Sequence, residues 1–275
     1  MAEILSLADA VESHVRDGST VAMEGFTHLI PHAAGHEIIR QGRRNLHVIR
    51  MTPDMIYDQM IGAGCVAKLT FSWGGNPGVG SLQRFRDAVE NGWPHKIEIE
   101  EHSHAGMAAR YVAGASGLPF GVLRGYAGTD LVEQSSSIKT INCPFTGEDL
   151  TAVPAINPDV TIIHAQQSDK LGNIMMWGIT GVAKEAVFAA KKVIVTVEEI
   201  VDRFSPKFNS IIIPNTQINA IALEPKGAWP SYASGYYERD NSAYIAWDEI
   251  AKDRESFLKW LELKVMSIKN SDRNK

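Results

Sequence analysis

Two spacings of apolar residues alternate along the chain. Ser6 is placed to cap a helix in which Leu7, Val11 and Val15 recur at near-helical spacing, ending at Gly18. The run Thr-Val-Ala-Met at 20–23 then reads as a strand, and PHAAGHEIIRQG as a helix with Pro31 at its start and Gly42 at its end. The cycle repeats with strand LHVIRM (46–51), helix PDMIYDQMIGAG (53–64) and strand VAKLTFSW (66–73). A glycine-rich loop leads to helix SLQRFRDAVENG (81–92), with Ser81 as its candidate cap. Strand KIEIEE (96–101) and helix AGMAARYVAGASG (105–117) follow. Strands alternating with helices imply right-handed crossovers and an open, mainly parallel sheet with helices on both faces, an α/β fold.

Residues of about 120–157 break this rhythm. They are polar and turn-rich and contain a hairpin pattern, INCPFTGEDLTAVPA, turning at Thr146-Gly147. The alternation resumes with VTIIHAQQ (160–167), GNIMMWG (172–178), a helix around VAKEAVFAAKK and the strand VIVTVEEI (193–200). The segment 244–270 reads as helical, with a polar stub after it. With no repeat, linker or low-complexity tract, the expected organisation is one domain over 1–275 carrying an irregular β insertion.

Composition narrows the function classes. The chain is 275 residues long, 44% hydrophobic and 21% charged, with a net charge of −5. That balance offers no broad basic field for nucleic acid or an anionic membrane. No stretch approaches the roughly 18 apolar residues of a spanning helix. Two cysteines set no disulfide framework, and the N-terminus lacks the basic and apolar regions of a signal peptide, so a cytoplasmic protein is expected.

Ligands of open parallel sheets bind beyond the carboxyl ends of the strands, and four strand-end segments are rich in glycine or polar groups. In EGFTHLIP (24–31), a strand passes through glycine towards a helix N-terminus, where backbone N–H groups can hold an anion or a polarised carbonyl. Glu24 is a conceivable nucleophile there, although nothing nearby supports that role. His28, His32 and His36 have helical ligand spacing, but Pro31 leaves His28 in the loop and no further ligand completes a metal set; a partly exposed helix face is the expectation. SWGGNPGVGS (72–81) has more glycine and proline than a plain connection needs, and is neither a Walker loop nor a dinucleotide fingerprint. In EEHSHAG (100–106), Ser103 either caps a helix or, with His104, faces a substrate. In HAQQSDKLGN (164–173), His164 suits a hydrogen-bonded core position and Asp169–Asn173 a turn.

Five stretches in order and spacing carry a resemblance: DGSTVAMEGFT, SWGGNPGVGSLQRFRDAVENG, EEHSHAGMAARYVAGASGLPF, PDVTIIHAQQSDKLGN and KKVIVTVEEIVD. Together they resemble the family I coenzyme A transferases, in particular alpha chains of the glutaconate CoA-transferase type. The resemblance implies an active site shared between two related α/β subunits. A glutamate within a Ser-Glu-Asn-Gly motif of the B-type partner attacks an acyl-CoA, forming an anhydride and then a glutamyl-CoA thioester that passes CoA to a second carboxylic acid. This chain contains no Ser-Glu-Asn-Gly, so the nucleophile is expected on a partner, in a heterodimer or heterotetramer. CoA is then a substrate and covalent intermediate, with no permanently bound cofactor or metal. Substrate and oxyanion contacts are expected from Gly25, Phe26, Thr27, Asn76, Gly78, Gly80, Ser103 and His104. Two departures stand out: Glu24 replaces the first glycine of the usual Gly-Gly-Phe corner, and the loop to Pro31 is short and carries no cation. The alternatives are a CoA-thioester or ring-opening hydrolase on the same scaffold, and a non-enzymatic metabolite-binding regulator.

Overall fold

The path of the chain follows the apolar alternation closely. A computed structural model describes residues 2–126, 128–205 and 207–267. Glu3–Ile4 (β1) precedes helix α1, Leu7–His14, whose Asp9 amide donates to the Ser6 hydroxyl at 3.1 Å as expected of a cap. Next come β2 (Thr20–Glu24), α2 (His32–Arg40), β3 (Leu46–Ile49), α3 (Met55–Gly62) and β4 (Val66–Phe71). They are followed by α4 (Gln83–Glu90), β5 (Glu98–Glu101) and α5 (His104–Ala115). The Ser81 cap does not form: α4 begins after Leu82, and its first turn is capped from α3 instead, the Phe85 amide donating to Asp58 at 2.8 Å.

The irregular region is a separate antiparallel sheet made of β6 (Phe120–Leu123), β7 (Lys139–Asn142) and β8 (Asp149–Pro154), in the order β6-β8-β7, with a short helix α6 (Leu131–Gln134) between the first two. The hairpin turns at Gly147, whose φ of +72° lies in the left-handed region that glycine adopts freely. The insertion seats on α5 at Gly114, where an added Cβ would overlap the Ile156 carbonyl oxygen, so only a bare backbone permits the approach.

The chain then returns to the main sheet with β9 (Val160–Asp169), β10 (Ile174–Met176), α7 (Ala183–Ala189) and β11 (Lys192–Val201). β12 (Ile211–Ile213), β13 (Ala220–Leu223), α8 (Asn241–Lys252), α9 (Arg254–Leu261) and a π-helical turn at Glu262–Met266 complete the described chain. The helix expected to reach residue 270, and the polar stub beyond it, end outside the described residues.

The main sheet runs β1-β13-β11-β9-β2-β3-β4-β5, with β10 and β12 paired antiparallel at the side of β9. All other pairs are parallel. β9 and β11 are buried along most of their length on both faces, as their β-branched runs require. Strand order reverses between β9 and β2: from β2 the chain builds outward to β5, and from β9 it builds the other way to β13. Such a reversal leaves a crevice beyond the carboxyl ends of the two central strands. β2 ends there at Glu24, in register with Ile163. Among the described residues no helix is long and apolar enough to cross a membrane.

Candidate functional site

The Gly25-Phe26-Thr27 corner sits at this reversal. A Cβ on Gly25 would lie 2.6 Å from the Leu29 carbonyl oxygen and 2.8 Å from that of His28, so the corner closes only over glycine. Thr27 and Leu29 adopt φ of 58° and 54°, a conformation that costs a non-glycine residue energy and persists where the surroundings enforce it. The enforcing segment is 231–234. Ser231 Oγ donates to the Thr27 carbonyl at 2.9 Å, and the Leu29 amide donates to the Tyr232 carbonyl at 2.9 Å. His28 is locked beside it, with Nδ1 2.8 Å from the Ile179 carbonyl and Nε2 accepting from the Ser234 amide at 2.9 Å. This pattern fixes the neutral tautomer with the proton on Nδ1, and burial lowers its pKa in the same sense. No acceptor among the described residues takes the Phe26 or Thr27 N–H.

Glu24 lies behind the corner. It is 3% exposed, and its Oε1 accepts from the Met51 amide at 3.0 Å and the Tyr111 hydroxyl of α5 at 2.7 Å. A carboxyl group so bound ties β2, β3 and α5 together through one of its oxygens. Burial pushes its pKa up to about 7, against the lowering effects of Arg50 and the two bonds. The folded chain therefore holds this proton up to about pH 7, whereas the unfolded chain releases it near 4.5. The group's contribution to stability is complete below pH 4.5 and is lost as pH rises through 7. Glu24→Gln is expected to flatten the pH dependence of stability across that window by on the order of 3 kcal/mol. Urea unfolding of both proteins at half-unit steps from pH 5 to 8 measures this, and parallel slopes would contradict it.

Arg50, at the end of β3, is fully buried and engaged: Nη1 donates to Asp54 at 2.9 Å and Nη2 to the Gly25 carbonyl at 2.7 Å. It thus braces the corner from below. Thr27, Thr52, Trp73, Pro77, Arg239 and Tyr244 border, with Arg50 and Asp54, a narrow cleft that joins the corner to the glycine-rich loop. The sequence offered a signal for part of this wall, since Arg50–Asp54 follows a strand directly. It offered none for Arg239 and Tyr244, which come from the other end of the chain.

The remaining expected site residues divide into groups. Asn76 is 2% exposed, and neither polar atom of its side chain has a partner. Gly78 is open to solvent, while Gly80 packs against Asp248 of α8. Ser103 caps α5, accepting from the Gly106 amide at 3.0 Å, and its own amide donates to the Tyr126 hydroxyl of the insertion at 3.0 Å. His104 is exposed at the first position of α5.

The histidine expectation is corrected. His28 is buried ahead of α2 beside the Tyr232 ring, while His32 is buried and His36 half-buried because α2 is covered by the C-terminal helices, as the edge contacts of His32 with Tyr244 and of His36 with Trp260 show. Burial holds His32 well below the usual range and His36 at about 4. His164 is the core histidine its context suggested, 2.8 Å from Thr196 Oγ1 and 2.7 Å from Glu198. It lies within β9, which runs on to Asp169, and not in a loop. Asp169 then makes the expected turn, accepting from the Leu171 and Asn173 amides at 2.9 Å each. A cleft of about 590 Å³ opens between α2 and the C-terminal helices, with Trp229, Trp247 and Trp260 in its wall. None of the eight expected site residues lines it.

The profile of the coenzyme A transferase family matches residues 4–224. The chain belongs to the coenzyme A transferase family. It is 63% identical over 270 residues to the A-type subunit of the 3-oxoadipate CoA-transferase of Pseudomonas knackmussii, covering 98% of this chain and 96% of that one. It is 32% identical to the A-type subunit of the glutaconate CoA-transferase of Acidaminococcus fermentans, over 99% of this chain and 90% of that one. The crystal structure of the Acidaminococcus fermentans glutaconate CoA-transferase superposes with a TM-score of 0.90 at 30% identity, covering 99% of this chain and 91% of the matched chain. The motifs quoted from the sequence are thus those of an A-type chain of a CoA-transferase, and the regulator alternative falls away. Coenzyme A itself enters as the family's substrate.

Proposed function

We propose that this chain is the A-type subunit of a heteromeric transferase that moves CoA from an acyl-CoA thioester to a short dicarboxylic acid of the 3-oxoadipate kind. The observation that carries the reading is the division of labour at the crevice. A backbone-donor corner stands at the strand-order reversal, and the carboxyl group beside it, Glu24, is buried behind it with Oε1 already bonded to the Met51 amide and the Tyr111 hydroxyl. A glutamate of a B-type partner attacks the thioester carbonyl, and the acyl–sulfur bond breaks to give an anhydride and CoA thiolate. The thiolate then attacks the glutamyl carbonyl, releasing the first acid and leaving the glutamyl-CoA thioester; the acceptor acid runs the same two steps in reverse. The Phe26 and Thr27 N–H groups serve the oxyanion of the tetrahedral intermediates, and Asn76, Gly78, Gly80, Ser103 and His104 border the substrate path.

The co-expressed complex incubated with acyl-CoA, reduced with borohydride and digested tests this. Mass spectrometry is expected to find the reduced glutamyl residue in a partner peptide, with Glu24 unmodified and the isolated chain inactive. Modification of Glu24, or full activity of the isolated chain, would overturn the reading.

A further inference from the structure

Arg239 differs from its neighbour in the cleft beyond β2, β3 and β4. Arg50 spends both terminal nitrogens on Asp54 and the Gly25 carbonyl. Arg239 lies over the Tyr244 ring, its guanidinium carbon 4.3 Å from the ring centre. Its Nη2 is buried and has no hydrogen-bond partner. A buried N–H without an acceptor is costly in native proteins, and Arg50 Nε stands the same way, so this wall of the cleft offers unmet donors to an acceptor from outside. Asp54 faces Arg239 at longer range but is already tied to Arg50. The cleft therefore holds two guanidiniums against one carboxylate, whose Oδ1 is already bonded to Arg50, and a ligand anion would complete its charge.

Asn76 adds an independent observation. It is 2% exposed, both of its side-chain polar atoms are without partners, and it precedes Pro77, which lines the same cleft. Thr27 belongs both to the donor corner and to the cleft. A substrate with its reacting carboxyl at the corner thus has Arg239 along its length.

We propose that Arg239 holds the remote carboxylate of a dicarboxylic substrate, with the Tyr244 ring supporting its guanidinium. The assignment rests on the transferase reading for where the reacting carboxyl lies. It also accounts for the missing cation in the 24–31 loop: the charge reaches the cleft from the segment before α8. The planar fork pairs with a carboxylate through two parallel hydrogen bonds, which a lysine ammonium does not reproduce.

The test uses the complex with the B-type partner and the variants Arg239→Gln and Arg239→Lys. The acceptors are 3-oxoadipate and 3-oxohexanoate, which share a chain and differ in the remote carboxylate. In Arg239→Gln the ratio of kcat/KM for the two acids is expected to fall about 100-fold, mostly through KM, with Arg239→Lys in between. Equal losses on both acids would overturn the assignment. So would an unchanged ratio. A second readout needs no turnover: adipate is expected to raise the thermal midpoint of the wild-type complex and not of Arg239→Gln, while hexanoate raises neither. Adipate protection that survives in Arg239→Gln contradicts the proposal. If adipate protects through Arg239 while no CoA is transferred to either acid, the anchor stands and the transferase reading fails.

Discussion

Arg50→Met is expected to cost about 3–5 kcal/mol of folding stability, a large share of the roughly 5–15 kcal/mol that holds a typical domain. Arg50 is fully buried at the end of β3. Removing it leaves Asp54 as a buried carboxylate with its cation gone, and leaves the Gly25 carbonyl without its 2.7 Å donor. Burial already pushes the Asp54 pKa up, opposed chiefly by Arg50. Without that opposition the carboxyl must take up a proton or the segment must open. The Tyr57 ring, whose centre lies 5.5 Å from the guanidinium carbon, also loses its cation contact. Urea unfolding at pH 7 measures the loss. Arg50→Met/Asp54→Leu should recover much of it, since removing both charges abolishes the desolvation problem that removing one creates. A single variant within about 1 kcal/mol of wild type would show that the pair is not the brace described.

Gly25→Ala is expected to reduce kcat of the assembled enzyme by about 10²–10³-fold while leaving the chain folded. The new Cβ would meet the Leu29 and His28 carbonyl oxygens at 2.6 and 2.8 Å, both backbone atoms that a rotamer change cannot move. The corner must widen, and its neighbours resist through Ser231, Tyr232 and Ser234. The Phe26 and Thr27 amides are then carried away from the position proposed for the oxyanion. Donor placement matters to tenths of an ångström in such sites, whereas acyl-CoA binding depends on more of the surface. Kinetics should show a fall in kcat greater than the rise in KM, with circular dichroism of the complex unchanged. A variant that loses only affinity would place the oxyanion donors elsewhere.

Much of the fold was legible because it is local. Leu7 and Val11 bury the inner face of α1, Ser6 caps it, and the Gly147 and Asp169 turns close where their side-chain and backbone chemistry says they must. β1, β12 and β13 were not legible. They are two to four residues long, and what makes β1 and β13 strands is the neighbouring strand that accepts their hydrogen bonds, such as Ile4 against Ile221. Ser81 failed as a cap for the same reason in reverse, since the position where a helix starts depends on what the loop before it is packed against.

The order of residues was enough to establish the α/β alternation, the glycine corner after β2, the family motifs and the absence of a Ser-Glu-Asn-Gly nucleophile in this chain. These are properties of neighbouring residues and of spacing. Three further facts came from the folded chain: the corner stands at the reversal of strand order, Glu24 turns inward to Met51 and Tyr111, and Arg239 arrives beside Thr27. Each of these is a contact between residues far apart in the chain. No local pattern encodes such contacts, because burial and partner choice arise only when the whole sheet and its covering helices are in place.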